Sequence, residues 1–252
     1  MFFSPRFYRG AALCSFLSAL TTLGLIFLPR LYPPAADFDA RMALGAHPAY
    51  VLRSWIHLVH PALVLAAAVA VAARCGARTG GSAALGLAGF GAWATTEAAQ
   101  QALTKVALDR TWRAAWPTAD GAARQAIREQ VATYDLLWDA MYLLVLLAFL
   151  AGNVLLAIAV RHAREPHDRL AGWVSGAYLA AAALTLLLLL RELGGPALPA
   201  PATAWLYPLI QPAGRALTGL WLWRGAASQD GSATGRPDEA RPAAERAPRH
   251  AD

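Results

Sequence analysis

Charged residues are scarce in this chain, and lysine is almost missing. Only 15% of the 252 residues are charged, while 57% are hydrophobic. In soluble domains about a quarter of the residues are charged. Lys105 is the single lysine, and the apolar residues are gathered in long blocks. Because about 20 apolar residues cross the hydrocarbon core of a bilayer, these blocks predict a polytopic membrane protein.

Cysteine is also rare. Cys14 lies inside the first apolar block and Cys75 at the far end of the second, and neither has a CxxC neighbour. This pattern indicates neither a metal site nor a redox pair. We expect two free thiols that pack as small apolar side chains.

Several catalytic and nucleotide-binding motifs are missing as well. The chain has no GxSxG, HExxH, Walker or Rossmann glycine motif, which excludes coupling to ATP within it. The net charge of +6 does not predict nucleic-acid binding, because the arginines lie at the ends of apolar blocks and in the tail. The positive charge is better explained by orientation in a membrane.

Six apolar blocks predict an all-α bundle of six transmembrane helices, at about 11–28, 52–73, 83–104, 136–160, 170–190 and 204–223. Residues 1–226 would form this transmembrane domain. Residues 227–252 are rich in Pro, Gly, Ala and charge, and we expect them to be a disordered cytoplasmic tail. The first block is too long for a signal-peptide core and lacks a cleavage site, so we expect it to remain as a helix.

Arginines of the short loops indicate the orientation of the bundle. They cluster before the first block, between the second and third, and between the fourth and fifth, at positions 6, 9, 74, 78, 161, 164 and 169. Short arginine-rich loops stay in the cytoplasm, so both termini are expected there, in the inner membrane of a bacterium. The long third loop would lie outside. Its Asp120 is a predicted helix N-cap, and this helix either extends the fourth block or lies at the interface.

Polar side chains within spanning helices are costly and normally face the bundle interior. In "VLRSWIHLVHPAL", Arg53, His57 and His60 share one helical face. The full predicted set is Arg53, His57, His60, Glu97, Gln100, Gln101, Asp139, Tyr207, Gln211 and Arg215. All lie in the outer halves of helices two, three, four and six, which predicts a polar pocket open to the outside.

Within this pocket, Glu97 and Asp139 are expected to face Arg53, Arg215 and a protonated histidine. We expect the pocket to bind a small molecule or ion without catalysis. One alternative is a membrane-embedded enzyme that uses Glu97 as acid or base with His57. Others are a structural or assembly partner in a membrane complex, and a polar cluster that only holds the helices in register.

No cofactor is expected. A b-type haem takes axial histidines from two helices, but His57 and His60 share one helix and only His47, in a loop, could pair with them. A catalytic zinc site needs three protein ligands, and the spacing of His57 and His60 is not the usual one. The small residues of "GLAGFGAW" and of Gly172 to Gly176 predict close helix packing within the chain, with a homodimer face as the alternative.

Four stretches together resemble a bacterial family of six-helix integral membrane proteins catalogued as a domain of unknown function. They are "RFYRGAAL", "WATTEAAQ", "LLWDAMYLL" and "NVLLAIAVRHAREPHDRLAGWVSGAYL", and the resemblance covers about residues 6–190. It implies the fold and the location, and it places Glu97, Asp139 and Asn153 among the polar residues typical of that family. It implies no activity. The sixth helix and the histidines of the second depart from the pattern.

Overall fold

The computed structural model of the protein describes residues 3–76, 78–79, 81–196 and 206–234, and the side chains of residues 207 and 228–234 fall outside the described part. Every element in these ranges is helical, which confirms the all-α class. Six long helices coincide with the six predicted blocks: α1 (Pro5–Phe27), α2 (Pro48–Cys75), α3 (Ser82–Leu103), α4 (Gly121–Ala163), α5 (Arg169–Glu192) and α6 (Tyr207–Thr234).

Four of these segments are long and apolar enough to cross a membrane, namely Pro5–Leu31, Pro48–Cys75, Gly121–Ala163 and Arg169–Glu192. The helices α3 and α6 are not among these four segments, and both carry polar residues of the predicted site, Glu97, Gln100 and Gln101 on α3 and Gln211 and Arg215 on α6.

Local signals explain where the helices begin. Ser4 precedes α1, with Pro5 in the first turn, and its side chain accepts a hydrogen bond from the backbone of Phe7. Asp168 caps α5 in the same way, at 2.9 Å from the backbone nitrogen of Ala171. These side chains satisfy backbone N–H groups that have no partner within the helix. As a result α1 begins six residues before the predicted boundary.

The helix α4 is much longer than predicted. It runs for 43 residues from the predicted cap Asp120, whose side chain lies 2.9 Å from the backbone nitrogen of Ala123. Its length is about 65 Å at 1.5 Å per residue, whereas the hydrocarbon core is about 30 Å thick. The predicted helix after Asp120 is therefore an extension of the fourth block.

The chain end differs from the prediction in one respect. The helix α6 continues to Thr234, although the tail was predicted to begin at residue 227. The rest of the predicted tail, residues 235–252, lies outside the described residues.

The six helices form a closed ring in the order α1, α2, α3, α4, α5, α6, in which each packs against the next and α6 packs against α1. The short connections between α2 and α3 and between α4 and α5 lie at one end of this ring, which we call the turn end. The longer connections, at residues 28–47 and 104–120, lie at the opposite end, the cap end.

Small residues bring α3 and α4 close together. A Cβ atom on Gly89 would lie 2.8 Å from backbone atoms of Gly152, and one on Gly86 would lie 2.9 Å from the backbone nitrogen of Leu156. Glycine is therefore required at these crossings. Nothing lies within 4 Å of a Cβ atom built on Gly91 or Gly176.

Trp221 joins three helices at the turn end. Its indole nitrogen donates a hydrogen bond to Asp168 at 3.0 Å. The guanidinium of Arg74 lies 4.0 Å from the centre of its ring and donates to its carbonyl oxygen. The buried core of this end consists largely of Ala, Val and Leu, with Cys75 buried and Cys14 half-buried as free thiols.

A second, smaller core covers the cap end. It unites the short helix Phe38–Ala43, the π-helix Thr104–Trp112 that continues α3, and the first turns of α4. Its buried members are Met42, Leu108, Trp116, Ile127, Val131 and Tyr134. We call this assembly the cap. Neither the π-helix nor this core was predicted.

Candidate functional site

A large cavity lies between the helices beneath the cap. It encloses about 1030 Å³ and is partly open. All six long helices, the short helix Phe38–Ala43 and the π-helix contribute to its wall. Such a volume lies at the upper end of the range typical of small-molecule sites, about 300–1,000 Å³.

Nine of the ten residues predicted from the sequence line this cavity: Arg53, His57, His60, Glu97, Gln100, Gln101, Asp139, Gln211 and Arg215. The side chain of the tenth, Tyr207, lies outside the described residues. Residues of α2, α3, α4 and α6 therefore meet in one space, as their positions along the chain predicted. Their role in binding stays a prediction.

The polar residues of α2 lie in different environments. Arg53 lines the cavity and donates a hydrogen bond to the hydroxyl of Tyr32 at 3.3 Å, while its Nε atom is buried and has no partner among the described residues. His60 is 6% exposed, and its Nδ1 atom lies 2.8 Å from the hydroxyl of Thr21. His60 is thus a hydrogen-bonded core residue at the edge of the cavity.

His57 and Glu97 form the central contact of the site. The Nδ1 atom of His57 lies 3.4 Å from Oε1 of Glu97. This distance is within the range of an ion pair, but the geometry is not that of a hydrogen bond, since His57 Nδ1 has no hydrogen-bond partner. Their side chains are 20% and 17% exposed, so both are shielded but reachable from the cavity.

The glutamines of the wall are mainly structural. Gln100 is 1% exposed and donates a hydrogen bond from its side-chain nitrogen to the carbonyl oxygen of Trp138 at 2.9 Å. Gln101 and Gln211 are also buried. Buried polar groups need such partners, and the bond of Gln100 links α3 to α4 beside the cavity.

The expected ion pairs are only partly present. Glu97 faces a histidine, as predicted, but none of the ion pairs among the described residues joins Arg53 to a carboxylate. Asp139 is exposed and forms no ion pair with a described residue. Asp135, one turn earlier on α4, pairs instead with an arginine of the cap.

That arginine is Arg41, which sequence analysis did not select. Its guanidinium donates two hydrogen bonds to the carboxylate of Asp135, at 2.7 and 2.5 Å. The hydrogen bond to Asp135 raises the pKa of Arg41 above its ordinary value, against the opposing effect of burial. This bidentate contact joins the short helix Phe38–Ala43 to α4 at the wall of the cavity.

Arg113 is the second missed residue of the wall. Its side chain is 6% exposed, pairs with Asp109 at 2.5 Å and lies 4.5 Å from the centre of the Tyr50 ring. Lys105 pairs with the same carboxylate at 2.9 Å. The spacing of four between Lys105, Asp109 and Arg113 is the sequence signal that could have predicted this charged triad.

The charge of the lining is unbalanced. Five arginines and three carboxylates line the cavity, so two positive charges are in excess when both histidines are neutral. The nearby Lys105 and Asp109 cancel each other. Within the described residues, no three His, Cys, Asp or Glu side chains are grouped so that they could hold a metal ion. The arrangement favours an anion over a cation.

Comparisons of the chain with protein-family models, with curated proteins and with solved structures found no match. The resemblance to a bacterial six-helix family therefore stays a prediction that rests on the quoted stretches.

Proposed function

We propose that this chain is a multi-pass protein of a bacterial inner membrane, with six spanning helices and both termini in the cytoplasm. Four helices have the length and apolar character of membrane spans, and α3 and α6 stand in the same ring between them. The turn end carries Arg74, Arg78, Arg161, Arg164 and Arg169, as expected of a cytoplasmic face. The cap would then face the outside.

This topology can be tested with a thiol reagent that does not cross membranes. Ala122→Cys lies at the exposed start of α4, and Pro166→Cys lies in an exposed turn at the opposite end. We expect intact cells to label the first variant and to label the second only after permeabilisation. Wild type, whose two thiols lie in helices, measures the background. The reverse labelling pattern would show the opposite orientation.

We propose further that the cavity binds a small molecule that carries negative charge. The observation that carries this function is a space of about 1030 Å³ whose lining has two more arginines than carboxylates. Leaving a buried guanidinium nitrogen without a partner is costly, and Arg53 Nε is in that state. An acidic group that accepts hydrogen bonds from the terminal guanidinium nitrogens of Arg53 would offset this cost.

Native mass spectrometry of the protein extracted in a mild detergent tests the binding function. We expect a retained small molecule with wild type and its loss with Arg53→Gln. The matched control is Arg161→Gln, which removes the same charge from an exposed site on the last turn of α4. Equal retention by the two variants, or no retained molecule in wild type, would contradict the proposal.

The contact of His57 with Glu97 favours an enzyme as the second candidate. A histidine and a carboxylate within ion-pair distance in a cavity are side chains that can serve as acid and base in catalysis. His57→Gln would then keep the retained molecule of wild type but stop any change in its mass over time. Conversion that continues in this variant would exclude the catalytic role of His57.

A role as a structural partner has less support. Gly86 and Gly89 are occupied by α4 of the same chain, which leaves Gly91 and Gly176 as the small residues of these stretches that meet nothing within 4 Å. A homo-oligomer stays a prediction.

A further inference from the structure

The wall of the cavity has an apolar part and a polar part. Leu25 and Ile26 of α1, Val145 and Leu146 of α4, and Leu188 of α5 form the apolar part. Charged and amide side chains of α2, α3 and α6 form the polar part. A small hydrophilic anion would contact only the polar part and would leave the apolar part in water, which is unfavourable.

The polarity also changes with depth. Along α4, Asp135 and Asp139 line the cavity near the cap, whereas Val145, Leu146 and Phe149 line it deeper in the bundle. The lining of α4 from Tyr134 to Phe149 spans about 22 Å at 1.5 Å per residue. One leaflet with its headgroups is about 20–22 Å thick, half of the about 40–45 Å of a whole bilayer.

Arginines lie at the level where a lipid headgroup would be. Arg53 stands near the start of α2, and Arg30 lines the cavity just after α1. Both are at the cap end, and neither forms an ion pair with a described carboxylate. The planar guanidinium group matches the geometry of phosphate oxygens, which it binds with two parallel hydrogen bonds.

We infer that the ligand is a phosphate-headed lipid, with its phosphate at Arg53 and Arg30 and its apolar chain along Leu25, Ile26, Val145 and Leu146. This inference rests on the proposed binding function and adds the class of ligand. The phosphate gives the guanidinium of Arg53 an anionic partner, whereas the described carboxylates do not pair with it and a neutral lipid would not. The apolar chain of the lipid covers the apolar part of the wall, which inorganic phosphate would leave in contact with water.

The test compares three probes with the purified full chain in one non-ionic detergent. They are dioleoyl phosphatidic acid, dioleoylglycerol with the same chains and no phosphate, and inorganic phosphate. Binding is measured by native mass spectrometry and by the shift in melting temperature. We expect phosphatidic acid to bind at least about tenfold more tightly than either other probe, because only it satisfies both parts of the wall.

Two variants and a control assign the headgroup site. Arg53→Gln should weaken phosphatidic acid about tenfold or more and leave dioleoylglycerol unchanged, since it removes a charge-assisted contact. Arg53→Lys keeps the charge but lacks the planar guanidinium, so its affinity for phosphatidic acid should lie between those of wild type and Arg53→Gln. Arg161→Gln should bind like wild type. If Arg53→Gln fails to fold, Arg53→Lys and Arg30→Gln give the same comparison.

Each contrary outcome has a definite meaning. Inorganic phosphate that binds as tightly as phosphatidic acid would overturn the lipid and leave the proposed anion site standing. Dioleoylglycerol that binds as tightly would overturn headgroup recognition. If none of the probes binds while wild type still retains another acidic molecule, the lipid is excluded and the proposed function is upheld. If wild type retains no molecule either, both fail.

Discussion

The turn end and the cap end of the bundle are packed in different ways, although the same six helices form both. At the turn end, small apolar side chains fill the interior and Trp221 links three helices. At the cap end, polar side chains of the same helices surround a cavity of about 1030 Å³. The difference lies in side-chain size and charge along each helix, since the helices run continuously from one end to the other.

The closely packed core and the cavity therefore lie at opposite ends of the bundle. Close packing at the turn end gains dispersion and removes voids. The cap end keeps charged groups around a partly open space, which contributes little to stability. Its cover is held by a separate core with its own tryptophan, so the cavity does not depend on the packing of the turn end alone.

Loss of the tryptophan of the cap should have the largest effect. Trp116 is 5% exposed, packs against Phe38 and donates a hydrogen bond to Asp39 at 2.8 Å. Large-to-small changes of buried aromatic residues cost about 3–5 kcal/mol. We expect Trp116→Ala to lower the melting temperature and to expose the cap to limited proteolysis. Trp173→Ala, at a side chain that is 69% exposed, is the control and should change neither.

An added methyl group at the α3–α4 crossing should come next. Gly89→Ala places a Cβ atom 2.8 Å from the Gly152 backbone, so the two helices must separate. Overpacking of this kind costs about 1–3 kcal/mol. Thermal unfolding in detergent measures the loss, with Gly91→Ala two residues away as the control that meets nothing. Equal melting temperatures of the two variants would contradict the close approach.

Loss of the N-cap side chain of α4, Asp120, should have a smaller, local effect on stability. Asp120→Ala removes the side chain that accepts the hydrogen bond from the backbone of Ala123. Such a loss costs about 1 kcal/mol. Hydrogen exchange should rise in the first turn of α4, whereas Asp120→Asn, which retains an accepting oxygen, should exchange like wild type. An unchanged first turn in Asp120→Ala would show that other contacts hold it.

The smallest effect on stability is expected for Glu97→Gln. Its contact with His57 is 3.4 Å long, lacks hydrogen-bond geometry and faces the cavity. Partly exposed pairs contribute at most about 1 kcal/mol, so the melting temperature should stay close to that of wild type. A loss like that of a broken buried pair, about 3–5 kcal/mol, would make Glu97 structural and weaken the case for a binding site.

The convergence of the predicted polar residues on one space has a physical reason. A polar residue in an apolar helix has few places to lie except the bundle interior, so the positions of Arg53, Glu97 and Arg215 were enough to place them around one space. The predicted ion pairs are only partly present, and the two-hydrogen-bond ion pair of the site involves a residue of the cap. Asp135 forms hydrogen bonds with Arg41, which lies in the connection between α1 and α2, and helix periodicity cannot predict a contact so distant in sequence.

The all-α class, the six helical blocks and the polar positions could be read from the amino-acid sequence, because hydrophobic runs and helix periodicity are local properties of the chain. The closed ring, the cap and the partners of each charge could be found only in the folded molecule. These depend on side chains far apart in sequence, such as Arg41 with Asp135 and Gly89 with Gly152. Such contacts form when the folded helices meet, and no local pattern specifies which ones do.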